Sequence, residues 1–342
     1  MQSSIISQCI GIANSHFLNT PYKNLSVHEM YASDGIANKA SGICHYCTID
    51  AFQAIIEKNC LRFSDVRFLN DSTEFVEIIP LIRAVISKED YTPEFRKFIL
   101  ESETMSELEE YRQSYIGVSR ITHEYEQKVY HTYTCSLSTN NDSLNMWNYY
   151  ATTGAGLNVI FDFSWNMFEG SSKSEVNIGE KLENDIIIYR GLVLYNNDDK
   201  KKCIAELLNR LQKIFAIAPP EYRNYILMAF KESVNHMRCF FKNEYFSGEN
   251  EYRVVLKIPE ELLKTGGACS DIREKGSFKR GNILIPYINY SFRKDSLKSV
   301  TLNPYTIGND SMFELGVKEL LWMNNLGHID ILHSGIPIRK YD

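Results

Sequence analysis

Two short segments in which apolar side chains alternate with other residues constrain the fold of this chain most. They cover residues 157–163 and 251–258. In the first, the alternating apolar residues are Leu157, Val159, Phe161 and Phe163. A period of two predicts a β-strand with one buried face. Because helical patterns intervene between these and other short strand patterns, the sequence predicts an α+β fold with one sheet-built core.

The composition is that of an ordinary folded chain. Of its 342 residues, 44% are hydrophobic and 12% are aromatic, which is too apolar for a disordered protein. Lysine plus arginine number 37 and acidic residues number 43, so the formal net charge is −6. This balance argues against nucleic-acid binding through overall positive charge. It does not exclude a local basic, phosphate-holding cleft near Arg62 and Arg67.

The N-terminal residues and the cysteines predict a cytoplasmic location. Residues 1–18 contain neither a basic segment nor a small-residue cleavage site, so they do not resemble a secretory signal. No segment approaches the roughly 18 uncharged apolar residues of a membrane-spanning helix. The eight cysteines are scattered along the chain, which favours reduced thiols over a disulfide framework. We therefore expect no membrane partner.

The pattern along the chain predicts a single domain over residues 1–342, with helical insertions in its core. The core is expected at about 42–72, 129–195 and 245–340, and the insertions at about 73–128 and 200–241. Lys200 and the two lysines after it follow two aspartates. This charge run predicts a solvated helix start.

The segment Cys44-His45-Tyr46-Cys47 lies where a predicted strand meets a helix that Thr48 is expected to cap. The cysteine spacing resembles a redox pair, but no βαβ pattern surrounds it and no second pair completes a zinc site. Packing is therefore the stronger prediction for these thiols. At the junction, His45 is placed to hydrogen-bond a ribose hydroxyl. The competing interpretation is a histidine satisfied by a backbone carbonyl.

Residues 134–163 form a second candidate binding unit, in which a strand ends in serines and a short helix follows. The helix carries Trp147, Tyr149 and Tyr150, and a glycine turn leads back into a strand. Such a unit can hold a flat ring against an aromatic side chain while a hydroxyl such as that of Ser138 bonds the polar edge of the ring. The alternative is that Trp147 and Tyr150 are core aromatics, and for either residue alone core packing is the stronger prediction.

Two glutamates, Glu249 and Glu251, lie at the start of the strand predicted over 251–258, and their spacing places both side chains on the same side. In such a pair, one carboxylate can bond a sugar hydroxyl and stabilise a developing positive charge, while the other accepts a proton from an acceptor. The alternatives are a solvated loop or an ion pair between Glu251 and Arg253, which share a face of the strand.

Four segments carry a resemblance to a known family. They are HYCTIDAFQAIIEKNCLRFSDVRFLNDSTEF (45–75), SLSTNNDSLNMWNYYATTGAGLNVIFDF (136–163), ENEYRVVL (249–256) and SGIPIR (334–339). In this order they resemble the bacterial family catalogued as domain of unknown function 2971, over most of residues 43–340. That label carries no activity. Since the family occurs partly near defence genes, the resemblance implies a toxin or a phage-defence effector.

The same segments are similar to the three motifs of ADP-ribosyltransferases. This resemblance implies an ADP-ribosyltransferase-like split β-sheet core and an enzyme that cleaves the nicotinamide–ribose bond of NAD without a metal. In the first motif, His45 would bind the ribose and the main chain at Tyr46 would hold the carboxamide, with Thr48 beside them. Tyr46 departs from the pattern, since the superfamily has glycine at this position.

The other two motifs supply the remaining residues that the resemblance implies. In the second, Tyr150 or Trp147 would stack on nicotinamide and Ser138 would assist. In the third, of the form Glu-x-Glu, Glu251 would stabilise the oxocarbenium-like transition state and Glu249 would be its partner. The acceptor would be a protein, a nucleic acid or water, and the insertions could cover the site, bind a target or form an oligomer interface.

Two other functions remain open from the sequence. One is a catalytically silent module that binds a ligand or a partner on the same fold, with Tyr46 filling the nicotinamide pocket. The other is a metal-dependent nuclease or hydrolase in which Asp71, Glu74 and Glu251 hold Mg²⁺ or Mn²⁺. A turn that starts at Asn70 and a helix cap already explain most of the segment that carries the first two of these carboxylates.

Overall fold

The computed structural model describes residues 4–5, 7–9, 42–71, 73–88, 90–114, 121–123, 128–151, 156–162, 167–168, 179–181, 186–264, 269–305 and 310–338. The chain divides into a helical unit and a sheet unit. The helical unit comprises Met1–Ser26, Val66–Thr132 and Gly191–Ser247, and the sheet unit comprises Val27–Asp65, Tyr133–Arg190 and Gly248–Asp342. Both segments predicted as insertions, 73–128 and 200–241, fall entirely within the helical unit.

The described helices and strands alternate along the chain, as expected of an α+β protein. In chain order they are β1 (Ile43–Thr48), α1 (Ile49–Lys58), β2 (Cys60–Asp65), α2 (Ile78–Ile86), α3 (Pro93–Leu100), α4 (Glu103–Ser114), β3 (Ile121–His123), β4 (Lys128–Ser138), α5 (Leu144–Tyr150), β5 (Gly156–Phe161), β6 (Gly179–Lys181), β7 (Ile187–Leu192), α6 (Asn197–Phe215), α7 (Arg223–Met237), β8 (Glu251–Pro259), α8 (Glu260–Leu263), β9 (Ile272–Arg280), β10 (Ile283–Ser291), β11 (Leu297–Leu302), α9 (Asp310–Met323) and β12 (Asp330–His333). The first predicted insertion therefore contains the short strand β3 as well as helices.

Helices α2, α3, α4, α6 and α7 build the helical unit around one apolar core. Local chemistry sets where two of them begin. The Thr92 hydroxyl, just before Pro93, accepts from the amide of Phe95 at the start of α3. The Asn196 side chain accepts from the amides of Asp198 and Asp199 in the first turn of α6. The core side chains include Ile78, Ile82, Phe95, Ile99, Leu207, Leu208, Leu211, Ile226, Phe230 and Val234.

The solvated start expected for α6 is wrong at Lys200. Its side chain is fully buried, donates to Glu77 Oε1 at 2.9 Å and to the carbonyl of Lys242 at 2.8 Å, and lies near the ring of Phe241. A buried ammonium requires a charged partner and further hydrogen bonds. The partner comes from a residue far away in sequence, which the local charge run cannot reveal.

The sheet unit is built on a large mixed sheet. Its strands follow the order β12-β11-β5-β1-β4-β2-β10-β9, and β8 pairs with β4 and β7. The β11–β12 pair is parallel, whereas β1 is antiparallel to both β4 and β5. This order places β1 beside β4 and lets β8 approach β4 as well, so that residues far apart in sequence meet at their ends.

The junction of β1 and α1 follows the sequence prediction. The Thr48 hydroxyl caps α1 by accepting from the amide of Ala51 at 3.4 Å, and Phe52, Ile55 and Ile56 are buried. Further along, Gly156 opens β5, where an added Cβ would clash with Cβ of Ala151. Only glycine therefore permits the chain to pass so close to the end of α5.

Candidate functional site

A row of three hydroxyls on β4 ties this strand to β8 and the residues before it. We call Thr134, Ser136 and Ser138 the hydroxyl row; alternate residues of a strand project to the same face. The hydroxyls donate in turn to the carbonyl of Val254 at 3.1 Å, Oε1 of Glu251 at 2.6 Å and the carbonyl of Glu249 at 2.7 Å. The row therefore holds the start of β8 at the end of β4.

The turn into β8 is fixed from the same strand end. The amide of Thr139 donates to the carbonyl of Asn250 at 2.9 Å, and its hydroxyl donates to the same oxygen at 3.2 Å. Asn250 has a φ of 44°, in the left-handed region that asparagine tolerates better than most residues. This conformation separates the glutamates on either side, of which Glu249 precedes the strand and Glu251 begins it.

Glu251 forms a buried ion pair with Arg253, the same-face alternative noted from the sequence. Nε of Arg253 donates to Glu251 Oε1 at 2.6 Å and Nη2 donates to Oε2 at 2.9 Å. Both side chains are about 1% exposed. Oε1 also accepts the Ser136 hydroxyl, so three donors converge on the carboxylate. The pair holds the Glu251 carboxylate in one orientation beside Ser136.

His45 lies on β1 and hydrogen-bonds the main chain of Ser136. Ser136 thus connects His45 and Glu251, through its main chain on one side and its hydroxyl on the other. Burial lowers the pKa of His45 from 6.5 to about 4, against the opposing effect of the Ser136 hydrogen bond. The ring is therefore neutral near pH 7. One of its nitrogens engages Ser136, and the other can accept a hydrogen bond from a hydroxyl.

Because the pKa of His45 is lower in the folded state, acid should destabilise the protein through this residue. Between pH 6.5 and about 4 the unfolded state binds a proton that the folded state does not. We expect the free energy of unfolding to fall by about 1–3 kcal/mol between pH 6.5 and about pH 4. The lower end of this range allows for the partial exposure of the His45 ring to solvent. Urea unfolding at about pH 7 and about pH 4.5 should show a smaller difference for His45→Gln than for the wild type. If the wild type and His45→Gln lose the same free energy of unfolding between the two pH values, His45 does not have a lowered pKa in the folded protein.

Tyr150 and the buried Glu249 are hydrogen-bonded to each other ahead of β8. The Tyr150 hydroxyl donates to Oε1 of Glu249 at 3.1 Å. Tyr150 is partly buried, whereas its neighbour Tyr149 is 64% exposed and meets it edge to face. Among the aromatic residues of α5, these two reach the surface.

Tyr46 and Trp147 lie in the core of the sheet unit. Trp147 is fully buried, and its ring meets that of Tyr46 edge to face at 4.8 Å. The Tyr46 hydroxyl donates to the carbonyl of Asn140 at 2.7 Å and accepts from the amide of Ser143 at 2.9 Å. Because adjacent residues of a strand project to opposite faces, the Tyr46 ring points away from the face that carries His45.

Asp142, a residue not singled out from the sequence, organises the approach to α5. It accepts from Nε1 of Trp147 at 2.8 Å, from the Ser334 hydroxyl at 2.7 Å and from the amide of Gly335 at 2.7 Å. The carboxylate thereby joins the helix to the segment 334–338 near the C-terminus. The sequence shows Asp142 and Ser143 just before an apolar helix, which is a signal for a residue at a helix start. It does not show that Asp142 also binds Ser334 and Gly335, which lie far away in sequence.

Cys44 and Cys47 pack as small apolar side chains. Three positions apart on one strand, they project to opposite faces, and both are buried. Burial raises the pKa of each thiol to about 12, so the reactive thiolate is disfavoured. The eight cysteines of the chain are all free thiols.

The carboxylates of the metal hypothesis already have protein partners. Oδ1 of Asp71 accepts from the amide of Thr73 at 2.8 Å and from its hydroxyl at 2.6 Å, and Oδ2 accepts from the amide of Asn243 at 3.2 Å. This is a side-chain turn, and α2 begins only at Ile78. Within the described part of the chain, no group of three or more histidine, cysteine or acidic side chains is arranged to hold a metal ion.

Ser136 is the site residue that sequence analysis missed. Its signal was present, since Thr134, Ser136 and Ser138 alternate along one strand and so share a face. Ser138, the predicted member, is fully buried, donates to the carbonyl of Glu249 and accepts from the amide of Asn140, whereas Ser136 is exposed. Which hydroxyl meets the glutamate depends on how β8 aligns with β4, and that alignment is not encoded locally.

None of the helices in the described part of the chain is long and apolar enough to cross a bilayer. Comparison with curated proteins and with solved structures finds no match. One family model does match the chain, over α5, the strands and helices that follow it, and the start of β8, which includes both glutamates of the site. Residues 146–254 match the family described as "Protein of unknown function (DUF2971)".

Proposed function

We propose that the His45–Ser136–Glu251 site cleaves the nicotinamide–ribose bond of NAD, as an ADP-ribosyltransferase-like enzyme. The observation that carries the proposal is the double role of Ser136, which bonds the His45 ring with its main chain and Oε1 of Glu251 with its hydroxyl at 2.6 Å. These groups come from three strands, β1, β4 and β8. A site that joins them is what the order of motifs in the sequence implies.

The chemistry fits a reaction that develops positive charge on a sugar. As the bond between the ribose carbon and nicotinamide breaks, its electron pair goes to the pyridinium nitrogen, and the ribose becomes oxocarbenium-like. The Glu251 carboxylate stabilises this charge, and neutral His45 accepts a hydrogen bond from a ribose hydroxyl. An acceptor or water then attacks the ribose carbon, and Glu249 takes its proton. Tyr150 bonds Glu249 and provides the ring nearest to this proton acceptor.

Arg253 favours a second candidate, a module that binds the ligand without turnover. Its guanidinium bonds both oxygens of Glu251 and reduces the negative field that reaches a bound ribose. Tyr46 gives this alternative no support, since its ring packs on Trp147 in the core. The two candidates differ in one respect: the enzyme releases nicotinamide, and the module binds NAD unchanged.

To test this, the full chain is incubated with NAD that carries labelled nicotinamide, and the release of nicotinamide is followed. Calorimetry measures the binding of NAD. The enzyme predicts binding followed by release. Binding with no release under any buffer or acceptor condition would favour the silent module. Absence of both would refute NAD as the ligand.

Ser136→Ala should reduce nicotinamide release by about 10- to 100-fold, because Glu251 loses a charge-assisted hydrogen bond that orients it. The residue is exposed, so the fold should be little affected. Ser277→Ala, at an exposed position of β9, is the matched control and should release nicotinamide at the wild-type rate. Equal rates for the two variants would show that Ser136 does not position the glutamate.

A further inference from the structure

The β9–β10 hairpin forms an exposed basic edge on an otherwise acidic chain. Strand β9 is the last in the order of the sheet, and most of its side chains are exposed. Residues 272–291 contain four basic side chains and one acidic one, whereas the whole chain has a net charge of −6. At the tip, Ile283 is 50% exposed and Leu284 is 66% exposed.

The one acidic side chain of the hairpin is already matched by a lysine. Glu274 accepts from Lys58 at 2.8 Å, from the Tyr287 hydroxyl at 2.7 Å and from the Asn289 side chain at 2.9 Å. The contact with Lys58 holds the pKa of this carboxyl below its ordinary value. Residues 272–291 therefore keep a net positive charge, to which Arg273, Lys279 and Arg280 contribute at exposed positions.

Arg62 lies over two aromatic rings of the hairpin, those of Tyr287 and Phe278, and we call these three side chains the Arg62 platform. Arg62 is an exposed residue of β2, and its guanidinium lies 4.1 Å from the ring centre of Tyr287 and 5.3 Å from that of Phe278. Tyr287 is held by its bond to Glu274 and by Gly276, where an added Cβ would lie 3.0 Å from the Tyr287 hydroxyl. The platform is thus fixed before any ligand arrives.

We infer that this edge binds single-stranded nucleic acid, with phosphates on Arg273, Lys279 and Arg280 and a base stacked at the Arg62 platform. A planar guanidinium beside aromatic rings stacks on unpaired bases of any sequence, and neighbouring cations follow the backbone. Charge complementarity supports this occupant, because the edge is positive while the chain as a whole is negative. The inference stands independently of NAD cleavage.

Positive charge on an edge strand also discourages pairing between sheets. The lysines and arginines of β9 are sufficient to prevent such pairing. Protection of the edge does not account for the position of Arg62, an arginine of the neighbouring strand, over the rings of Tyr287 and Phe278. The platform is the observation that points to an unpaired base rather than to protection of the edge.

Fluorescence anisotropy with a labelled RNA of roughly 12 nucleotides, and its DNA counterpart, tests the inference with the full chain. We expect binding that weakens as salt rises from about 50 to about 200 mM. Lys279→Glu with Arg280→Glu should lower affinity at least about 10-fold and reduce the salt slope by about 1.4. Arg62→Lys keeps the positive charge but loses the planar guanidinium group. It should lower affinity about 5-fold or more without changing the dependence of affinity on salt.

The matched control is Lys88→Glu with Lys213→Glu, which changes the same charge at exposed positions of the helical unit and should bind as the wild type does. Thermal unfolding checks that each variant is folded. No binding at low salt, equal losses in the control, or a duplex that competes as well as the single strand would overturn the inference. Equally tight binding of poly-glutamate, lost in the same variants, would assign the edge to an acidic polypeptide instead.

Discussion

Replacing Arg253 by methionine should lower the free energy of unfolding by about 3–5 kcal/mol, because Glu251 would remain buried without its charged partner. Both side chains are about 1% exposed, and this arginine donates to both oxygens of the carboxylate. Urea or guanidinium unfolding of the wild type and of Arg253→Met measures the difference. A loss below about 1 kcal/mol would mean that water reaches the carboxylate in solution.

A double variant separates the ion pair from the space it fills. Glu251→Gln with Arg253→Met removes both charges and keeps an amide oxygen that can accept the Ser136 hydroxyl. Replacement of a whole buried pair by uncharged residues of similar volume is often nearly neutral. We therefore expect the double variant to regain most of the stability that Arg253→Met loses. Instability equal to that of the single variant would indicate lost packing instead of an unpaired charge.

Loss of the Glu251 charge should reduce nicotinamide release by at least about 100-fold. The amide of Glu251→Gln occupies nearly the same space as the carboxylate but cannot stabilise an oxocarbenium-like ribose through its charge. This variant also leaves Arg253 without its ion-pair partner, so its fold must be checked by circular dichroism. Glu249→Gln, in contrast, should slow transfer to an acceptor more than it slows bond cleavage, because Glu249 acts on the acceptor proton.

The local parts of the fold could be predicted from the sequence because their causes lie within a few residues. Thr48 caps α1 through a hydrogen bond three residues away, and the apolar period of that helix places Phe52 and Ile56 in the core. The alternation in 251–258 likewise predicted β8, and the structure confirms a strand over Glu251–Pro259. Each of these features needs only its neighbours in sequence.

Features that depend on distant partners could not be predicted in this way. Strand β9 has polar residues on both faces, and its conformation is set by antiparallel pairing with β10. Lys200 is buried because Glu77, 123 positions away in sequence, supplies the opposite charge. Considered alone, a segment with several consecutive charged residues predicts an exposed surface, because the distant residue that pairs with one of its charges is not part of it.

The candidate site illustrates the same division. The sequence identified His45, Glu249 and Glu251, and the spacing of Glu251 and Arg253 already indicated that they share a face. It could not separate core aromatics from surface ones, because Trp147 and Tyr149 differ only in which side of a short helix they occupy. It also could not indicate that Ser136, and not Ser138, meets the carboxylate, since this depends on the alignment of β4 and β8.

The most direct measurement of the central claim is nicotinamide release from NAD by the wild type and by the Glu251→Gln, Arg253→Met double variant, followed under the same conditions. Unfolding curves recorded on the same samples establish that both are folded. Release by the wild type and a loss of at least about 100-fold in the double variant is the result predicted by charge stabilisation at Glu251. Equal release by the two folded proteins, or no release by a wild type that binds NAD, would contradict it.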